Sequence, residues 1–342
     1  MLGKAEEAAL LRVVRSGQLA QGPEVAALER EAAPLLGQID GVACGSGSQA
    51  LLLALSTLGL GVGRRVALPA FTCSAVLHAV QWAGAEPVLL DNAPEGIAPG
   101  MAELAAAGPV EGAVLVHPWG YPLGPSPWRE VATTVIEDCA GSVGASRDGV
   151  PVGATGDAAI LSFYATKMLC AGEGGLLAAP DPALLERARD RRDYDGRPEW
   201  AMRFNFKLSD LQAAVARVQV ARLPSFLERR RRLAALYDRN VPSFGLTPVV
   251  AGPGAVPSYF RYLCWARGDI SELLAYCERF GVHCRRPVPV TLDALLRTTR
   301  RPHVREAFHR LISLPIYPSL TDAEQQRVLE VLAAGPVPGG MV

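Results

Sequence analysis

The sequence predicts an α/β protein with a large domain, built on a mixed, mostly parallel sheet between helices, and a smaller C-terminal α+β domain. Short apolar runs alternate with helical segments in the first part of the chain, which is typical of a layered α/β architecture. A long helical segment follows, and a cluster of prolines after it marks the passage into a second unit. A chain of 342 residues is long enough for two domains, each with its own core.

Two helices open the predicted fold. The first covers Ala5–Ser16 and stops before Gly17. The second covers Glu24–Leu36, between Gly22-Pro23 and Gly37. Proline at a helix start and glycine just past a helix end are the expected boundary signals.

Strands and helices then alternate. Two helices are predicted at Gln49–Leu58 and Ser74–Ala83. The predicted strands are Arg65–Leu68, Pro87–Leu90, Ala113–Val116, Thr134–Ile136, Ile160–Phe163 and Leu176–Ala179. Because ligands of such sheets bind beyond the carboxyl ends of the strands, the residues that follow each strand are the first candidates for a site.

The C-terminal part begins after a long predicted helix at Leu208–Asn240. The prolines that follow this helix are Pro242, Pro248, Pro253 and Pro257. This break divides the chain into a large domain at residues 1–240 and a small domain at residues 241–342. The elements predicted for the small domain are a strand at Tyr259–Trp265, a helix near Ser271–Phe280, a strand near Val282–Arg285, and a last helix that opens with the capping box Thr321 to Glu324.

Composition and charge exclude several classes of protein. Lysine plus arginine balance aspartate plus glutamate at 34 each, so the net charge indicates neither a nucleic-acid nor an anionic-membrane partner. The longest apolar run, around Leu51–Leu60, is too short to cross a bilayer and predicts a buried helix. The seven cysteines contain no C-x-x-C pair, which favours reduced thiols in a cytoplasmic protein over a disulfide framework or a zinc site.

The first candidate site segment is Cys44-Gly45-Ser46-Gly47-Ser48, which runs directly into the predicted helix Gln49–Leu58. Glycines allow the backbone to approach an anion closely, and a helix start offers free N–H groups at the positive end of its dipole. The hydroxyl of Ser48 adds a donor. Taken alone, the segment is more typical of an ordinary glycine turn capped by serine.

The second candidate segment is the predicted strand Thr134–Ile136 with the two carboxylates that follow it, Glu137 and Asp138. A carboxylate at the end of a buried strand can meet a cationic heteroaromatic nitrogen above the sheet. In enzymes that use pyridoxal 5'-phosphate (PLP), such a carboxylate keeps the pyridine nitrogen protonated. Taken alone, an aspartate in this place is more often the cap of the next helix.

The third candidate segment leads from Ser162 to Lys167 and is followed by a glycine-rich turn at Cys170–Gly175. A lysine between an apolar strand and such a turn is partly desolvated, which favours imine formation with an aldehyde. A lone lysine is usually a solvated surface charge, so the neighbouring pattern carries this interpretation. Together the three segments supply an anion cradle, a carboxylate for a ring nitrogen and an amine for an aldehyde, which are the three groups that PLP requires.

With these segments, the chain resembles the DegT/DnrJ/StrS family, the sugar aminotransferases among the fold-type I PLP enzymes. The similarity covers nearly all of the chain, Glu6–Leu332. Its most specific part is Ser162-Phe163-Tyr164-Ala165-Thr166-Lys167 with Gly172-Glu173-Gly174-Gly175, which is similar to the family's S-F-x-x-T-K and G-E-G-G. Ser16–Pro23 resembles its S-G-x-x-x-x-G-P stretch, and Leu314–Pro318 its L-P-x-Y-P element.

The resemblance implies PLP as the cofactor and a role for each matching residue. Lys167 falls at the position of the Schiff-base lysine, and Asp138 at that of the aspartate that faces the pyridine nitrogen, so both are expected to be catalytic. Gly47-Ser48 falls on the phosphate-binding step and Ser162 on another phosphate contact. Asn205 aligns with the asparagine that reaches the phosphate of the neighbouring subunit.

The resemblance also implies partners and substrates. It implies a homodimer with two shared active sites that acts on small molecules. The expected amino donor is glutamate, or less often glutamine, and the expected acceptor is a keto group on a nucleotide-linked sugar or a cyclitol. Lys167 argues against the dehydratase relatives, which carry histidine at this position.

Several positions depart from the family's pattern. Cys73 lies where an aromatic ring normally stacks on the pyridine, so it is expected beside the cofactor. Gly141 replaces a glutamine near the cofactor's phenolic oxygen. Arg203 and Lys207 replace glycine and arginine around the aligned asparagine, and the usual histidine-bearing substrate loop is not recognisable after Arg285.

Three further features have a weaker interpretation. His117 follows a strand and is expected either to face the acceptor or to pack within a turn. Arg229–Arg232 is more typical of a solvated, ion-paired helix surface than of a nucleic-acid site. Arg285-Arg286 is expected to meet an anionic group of a substrate, either the donor carboxylate or a diphosphate.

Other functions remain open at this point. One is a PLP-dependent dehydratase or lyase, another is a non-catalytic regulatory or structural dimer, and a third is a phosphate-metabolite binding protein. The joint presence of Lys167, Asp138, Ser48 and Asn205 argues against the second. The third has no use for the lysine.

Overall fold

The computed structural model describes residues 2–299 and 301–339 and has the predicted α/β architecture. The helices are α1 (Lys4–Ser16), α2 (Pro23–Ala32), α3 (Gly47–Thr57), α4 (Ser74–Trp82), α5 (Met101–Ala107), α6 (Ser126–Arg129), α7 (Pro182–Arg192), α8 (Asp210–Asn240), α9 (Ser271–Arg279), α10 (Leu292–Leu296), α11 (Pro302–Arg310) and α12 (Asp322–Ala334). The strands are β1 (Gly41–Cys44), β2 (Arg65–Pro69), β3 (Glu86–Leu90), β4 (Val110–Val116), β5 (Ala132–Asp138), β6 (Ser146–Arg147), β7 (Val150–Pro151), β8 (Ala158–Ser162), β9 (Gly175–Ala178), β10 (Leu246–Pro248), β11 (Ala255–Val256), β12 (Tyr262–Ala266) and β13 (Leu311–Leu314).

A seven-stranded mixed sheet forms the centre of the larger part of the molecule, in the order β1-β9-β8-β5-β4-β2-β3. Five strands, from β8 across to β3, are parallel to one another, whereas β9 runs antiparallel between β8 and β1. The predicted mostly parallel sheet is therefore confirmed. In the register of the sheet, Asp138 pairs with both Val116 and Ile160, which aligns the carboxyl ends of β4 and β5 with β8.

Strand β8 shows how the sheet separates two apolar cores. Ile160 belongs to the cluster that contains the buried residues of α3 and α4. Ala159 and Leu161 belong to the cluster formed with α2 and the first half of α8. Successive side chains of a strand point to opposite faces, so helices cover both faces of the sheet. The apolar run at Leu51–Leu60 includes most of α3 and is largely buried, as predicted.

The C-terminal part contains a second, antiparallel sheet in the order β10-β12-β13. The C-terminal end of α8 packs on it through Leu233 and Tyr237, and the Tyr237 hydroxyl donates to the Pro315 carbonyl at 2.7 Å. Because α8 takes part in the cores of both sheets, the chosen boundary at residue 240 stays a prediction. Residues 340–342 of the predicted small domain lie outside the described residues.

Some predicted elements differ from the structure. The prediction of a strand near Val282–Arg285 is wrong. The chain turns just before this segment, at Gly281, which has a φ of 75°. Only Arg285 pairs there, in an isolated bridge with Ser313, and β13 takes the place beside β12. Strands β1 and β13 and helix α7 have no counterpart among the predicted elements.

Two boundaries moved for local reasons. The strand predicted to start at Tyr259 begins at Tyr262, because Tyr259 has a φ of 52° and cannot continue an extended strand. The helix predicted to end at Leu36 is α-helical only to Ala32 and continues as a 3-10 turn, since Pro34 has no N–H to donate. Within the described residues, no helix has both the length and the apolar character that a membrane crossing requires.

Candidate active site

Two adjoining cavities lie where the carboxyl ends of β5 and β8 meet α3 and α4. They have volumes of about 290 and 340 Å³. The residues that line both are Cys73, Asp138, Ala140, Tyr164 and Lys167. Because they share these walls, we treat them as one space, the central cleft. The predicted site residues that line it are Gly47, Ser48, Cys73, Asp138, Ser162 and Lys167.

The start of α3 forms one wall of the central cleft. The helix begins at Gly47, two positions before the predicted Gln49, so Gly47 and Ser48 form its first turn. Ser46 caps it with an extended backbone and a hydroxyl oxygen that accepts from the Gln49 N–H at 3.1 Å. The first N–H groups of a helix have no partner within the helix and carry the positive end of its dipole. This wall is therefore suited to an anion.

Ser162, at the end of β8, closes the same wall. A Cβ atom at position 47 would lie 2.8 Å from the Cβ of Ser162, so only glycine allows the helix to approach the strand this closely. The glycine-rich turn has a similar role on the other side, because a Cβ at position 175 would lie 2.3 Å from the Ser46 carbonyl oxygen. Backbone and hydroxyl groups are thus brought together around one small volume.

Lys167 projects from the turn after β8. Its backbone N–H donates to the Tyr164 carbonyl at 2.8 Å, and the next two residues, Met168 and Leu169, are buried and anchor the turn. The amine Nζ lies 5.4 Å from the centroid of the Phe260 ring. Among the described residues, no carboxylate forms an ion pair with this amine. The side chain is half-buried and lines the cleft.

Asp138 ends β5 and is buried at the base of the cleft. Its Oδ1 accepts from the backbone N–H of Ala140 at 2.9 Å. Burial raises the pKa of this carboxyl group, and the nearby Lys167 charge and the Ala140 hydrogen bond only partly offset that effect. A carboxylate that burial has removed from water is stabilised by a cation beside it, because the positive charge restores part of the stabilisation that water would provide.

The neighbouring carboxylate, Glu137, has the opposite environment. Its oxygens accept from the backbone N–H groups of Gly153 and Gly156, from both the N–H and the hydroxyl of Thr155, and from His117 Nε2 at 2.8 Å. Burial alone would raise the pKa of Glu137, but these hydrogen bonds outweigh it and lower the pKa to about 2. Glu137 therefore fixes the loops around the end of β5 instead of facing a ligand.

His117 packs within a turn, which is the second of its two predicted roles. Its Nδ1 accepts from the Leu123 N–H at 3.0 Å while Nε2 meets Glu137, so both ring nitrogens are engaged. Together with Cys139, these two side chains place three potential metal-ligating atoms within 4.8 Å of one another. Burial raises the pKa of the Cys139 thiol, which opposes the thiolate form that binds a metal.

Phe260 is the residue of the cleft that the sequence analysis missed. It lines the central cleft, and a Cβ at Gly141 would already lie 3.2 Å from its ring. The ring therefore occupies space that a larger residue at position 141 would need. Trp119 lines the same side and packs edge-on to Phe71 at 5.1 Å. The aromatic pair Tyr259-Phe260 is the signal in the sequence, and it fits equally well the strand predicted at Tyr259–Trp265.

Asn205 is the one predicted site residue that does not line the central cleft. It is exposed and bridges to Asp193. The next residue, Phe206, accepts a hydrogen bond from the Gly45 N–H at 2.9 Å, so the segment passes close to the cradle of its own chain. The reach of Asn205 into a partner's site stays a prediction.

Part of the interpretation of the arginine tract is wrong. Arg232 pairs with Glu228 and Arg229 with Asp322 at the surface, but Arg230 is buried because it lies on the core side of α8. Arg286 is also engaged, since its guanidinium donates to the Phe308 carbonyl and the Ser271 hydroxyl. Arg285 is exposed and lines a third cavity beside the central cleft.

Known proteins are similar to this chain over most of their length. A sequence model of the DegT/DnrJ/EryC1/StrS aminotransferase family matches residues 1–333. A dTDP-4-dehydro-2,3,6-trideoxy-D-glucose 4-aminotransferase of Saccharopolyspora spinosa is 33% identical, over 96% of this chain and 94% of its own. A pleiotropic regulatory protein of Geobacillus stearothermophilus is 31% identical, over 94% of this chain and 91% of its own.

A solved structure agrees with these matches. The crystal structure of S. venezuelae DesV in complex with a ketimine intermediate has a TM-score of 0.89 and 30% identity, over 96% of this chain and 93% of that chain. Fold and cleft together define an α/β transaminase of fold type I. The chain belongs to the DegT/DnrJ/EryC1/StrS aminotransferase family. The predicted family, fold class and enzyme class are confirmed.

Proposed function

We propose that the protein uses PLP to transfer an amino group from glutamate or glutamine to a keto group of a nucleotide-linked sugar. The observation that carries the proposal is the convergence of three chemical functions on one cleft. Lys167 supplies an amine, Asp138 a buried carboxylate, and the turn formed by Gly47 and Ser48 with Ser162 an anion cradle.

These residues fit the polar groups of PLP. The cradle at the start of α3 would hold the phosphate, and a side chain at Gly47 would close it against Ser162. Asp138 would hold the protonated pyridine nitrogen, since its raised pKa favours a cation nearby. Lys167 would hold the aldehyde, because its amine is free of any ion pair with the described residues. Cys73 lines the same space and offers a thiol where relatives stack an aromatic ring.

Each residue then has a defined chemical task. When bound, PLP supplies an electron sink conjugated to the substrate amine. The amine of Lys167 moves a proton between the reacting carbon atoms as general acid and base. The carboxylate of Asp138 would stabilise a positive charge at the base of the cleft. Glu137, hydrogen-bonded to His117, holds the end of β5 and so orients the Asp138 side chain. Phe260 and Trp119 line the central cleft with aromatic surface, which would limit the access of water to the reacting atoms.

The acceptor is inferred from the relatives. The protein from Saccharopolyspora spinosa is named for a dTDP-linked sugar, and a UDP-N-acetyl-3-dehydro-alpha-D-glucosamine 3-aminotransferase from Acidithiobacillus ferrooxidans is 31% identical over 91% of this chain. These names differ in the nucleotide and in the aminated position. They therefore support the class of a nucleotide-linked keto sugar and not one member of it.

We also infer a homodimer in which Asn205 serves the partner's site. The segment that carries Asn205 presents large apolar side chains to solvent, with Trp200 91%, Met202 74% and Tyr194 57% exposed. Such a patch is typical of a protein–protein interface. We assign it to a second copy of this chain, because the family resemblance implies that a partner's Asn205 reaches the phosphate, where its amide would add a further donor to the cradle.

Mixed dimers test this arrangement. Lys167→Ala and Asn205→Ala chains, each defective alone, should regain activity when combined, because one of the two shared sites then holds both native residues. If the asparagine acts on its own chain, the mixture stays as defective as its components. Sedimentation of the wild-type protein gives the oligomeric state independently.

The first experiment is a visible absorption spectrum of the purified protein with PLP, before and after glutamate. Added PLP should give an absorption band of the bound cofactor, and glutamate should convert it to the amine form of the cofactor. A band that is indifferent to glutamate and glutamine would favour the dehydratase or lyase alternative. No band at all would favour a non-catalytic role, and the relative from Geobacillus stearothermophilus is named as a regulatory protein.

We infer a cytoplasmic location from the cysteines. All seven are free thiols, and Cys44, Cys139, Cys264, Cys277 and Cys284 are buried. Reduced thiols in this number are typical of a reducing compartment.

A further inference from the structure

A third cavity, of about 600 Å³, lies next to the central cleft on the side of the C-terminal part. We call it the arginine cavity, because the side chains that line it include Arg230, Arg261, Arg285 and Arg327. Thr166, Phe260 and Arg261 line both this cavity and the central cleft, so the two spaces share a wall next to Lys167.

Arg230 forms the buried end of the arginine cavity and is only 5% exposed. Its Nη1 donates to the carbonyls of Tyr259, Phe260 and Ile316, at 2.8, 3.1 and 2.9 Å. The Nε atom is buried without a hydrogen-bond partner among the described residues. Burial lowers the pKa of Arg230 to about 10, so the group still carries its charge at neutral pH. Arg230 thus positions the segment that carries Phe260 and adds positive charge to the cavity.

Arg261 stands at the wall between the two spaces. Its guanidinium carbon lies 5.8 Å from the centroid of the Phe260 ring, and Lys167 Nζ lies 5.4 Å from the same centroid. The Arg261 Nε is also buried without a partner among the described residues. Burial, and then the nearby charge of Arg285, lower the pKa of Arg261. Two arginines that repel each other across a cavity are stabilised when an anion comes between them.

Glu324, the acidic residue that lines the cavity, forms no ion pair with Arg230, Arg261 or Arg285 among the described residues. The Glu324 carboxylate accepts from the N–H and the hydroxyl of Thr321, both at 2.8 Å, and caps α12. In the described part of the chain, neither Arg230 nor Arg261 nor Arg285 forms an ion pair with a carboxylate. The arginine cavity is therefore an electropositive space with unused donors, next to the reacting amine.

We propose that Arg261 and Arg285 bind an anionic group, carboxylate or phosphate, of a substrate whose reacting atom lies at Lys167. This inference rests on the proposed aminotransferase function and adds a specificity site to it. The anion has two possible sources: the carboxylate of the amino donor or the phosphate of the acceptor. Guanidinium groups suit both, because their N–H groups match pairs of oxygen atoms.

The test uses the PLP-loaded protein and its Arg261→Ala and Arg285→Ala variants. Arg231→Ala is the matched control, since Arg231 is exposed on α8 and outside the cavity, and its replacement removes the same charge. The two half-reactions are followed separately by the absorption of the cofactor. Glutamate is added to the PLP form of the protein, and a nucleotide-linked keto sugar is added to the form that carries the amine of the cofactor. Losing one charge-assisted contact should raise the half-saturating concentration of one substrate roughly 10- to 100-fold.

The two half-reaction measurements identify which substrate supplies the anionic group. A rise for glutamate alone assigns the site to the donor carboxylate, and a rise for the sugar alone assigns it to the acceptor phosphate. Arg261→Lys should restore part of the loss, because it restores the charge without the paired N–H geometry. Unchanged values for both substrates in both alanine variants overturn the proposal.

A binding measurement separates this site from the proposed function. Titration calorimetry with inorganic pyrophosphate and with glutarate should show binding that Arg261→Ala weakens and Arg231→Ala does not. If the wild type fails to react with glutamate but still binds one of these probes through Arg261, the function is wrong and the anion site stands. If the half-reactions proceed but neither probe binding nor half-saturation depends on Arg261, the site is wrong and the function stands.

Discussion

Buried charged side chains form ion pairs or several hydrogen bonds in one region of the molecule, whereas in a second region they lack an ion pair. On the face of the sheet covered by α2 and α8, Arg192 donates to Glu29 at 2.6 Å, and Glu29 also accepts from the Ala43 N–H at 2.8 Å. Asp210 is equally engaged, since it accepts from the N–H groups at the start of α2. Around the cleft, Asp138 and Arg261 are buried or half-buried without an ion pair among the described residues.

The difference separates scaffold from site. Burying a charge without a partner lowers the free energy of unfolding, so a stable scaffold pairs its buried charges. Unpaired charges are compatible with a folded protein where a ligand supplies the missing partner. They lie at the walls of the cavities here, which is why we assign them to binding and catalysis.

Lys167→Ala should have the largest effect, because it removes the proposed covalent anchor and the general acid–base catalyst. We expect a loss of transamination of at least about 10⁴-fold, the upper range for general acid–base catalysis alone. The thermal midpoint of the cofactor-free protein should stay near that of the wild type. Lys4→Ala, at an exposed site on α1, is the control. If the Lys167 variant turned over at the wild-type rate, the unpaired charges of the cleft could no longer be assigned to catalysis.

Glu137→Gln should mainly destabilise the fold. An amide offers one acceptor oxygen where the carboxylate has two, so several buried donors lose their partner and the free energy of unfolding should fall by about 3 kcal/mol. The pKa of Glu137 is lowered from 4.5 to about 2 in the folded protein. Its contribution is therefore present above about pH 4.5 and lost as the pH falls toward 2.

Denaturant unfolding at several pH values measures this contribution. The difference in stability between the wild type and the glutamine variant should shrink as the pH falls through that interval. A difference independent of pH would show that the carboxylate charge of Glu137 plays no part in the stability of the fold.

Asp138→Asn should give the opposite combination. Losing the charged contact to the cofactor ring should lower the rate of transamination roughly 10- to 100-fold. The cofactor-free variant should be at least as stable as the wild type at neutral pH. Burial raises the pKa of Asp138, so the wild type loses stability as the pH rises above the ordinary value of 3.8, and asparagine removes that loss. Thermal melts of both proteins near neutral pH and in acid check the sign. A less stable variant at neutral pH would place Asp138 in the scaffold.

Arg12→Ala should have the smallest effect. Arg12 pairs with Glu24 at 2.7 Å but is 58% exposed, and Glu24 keeps a second partner in Arg217. Exposed ion pairs contribute less than about 1 kcal/mol. We expect a change in the thermal midpoint of no more than a few degrees and normal turnover, measured beside the Glu137 variant. A larger change would mean that exposure is a poor guide to the value of a charge here.

Much of the cleft could be predicted because its residues follow strands. The apolar runs predicted β5 and β8, and in a parallel sheet the residues after such strands meet at one edge, so Asp138 and Lys167 were placed together. Phe260 was missed because it approaches from a segment far along the chain, which no local pattern indicates. The strand expected at Val282–Arg285 failed for a related reason: β12 pairs with β10 and β13 instead.

The sequence by itself determined the α/β class, the alternation of strands and helices along the large domain and the types of group that the cleft contains. Periodicity, glycine and capping signals act over a few residues, so they can be read without tertiary structure. Only the tertiary structure decided which charges are paired. Glu137 and Asp138 are adjacent in sequence, yet the first accepts hydrogen bonds from buried donors and the second faces the cleft. Arg230 and Arg231 are also adjacent in sequence, yet Arg230 is buried and Arg231 is exposed, because successive residues of a helix point in different directions.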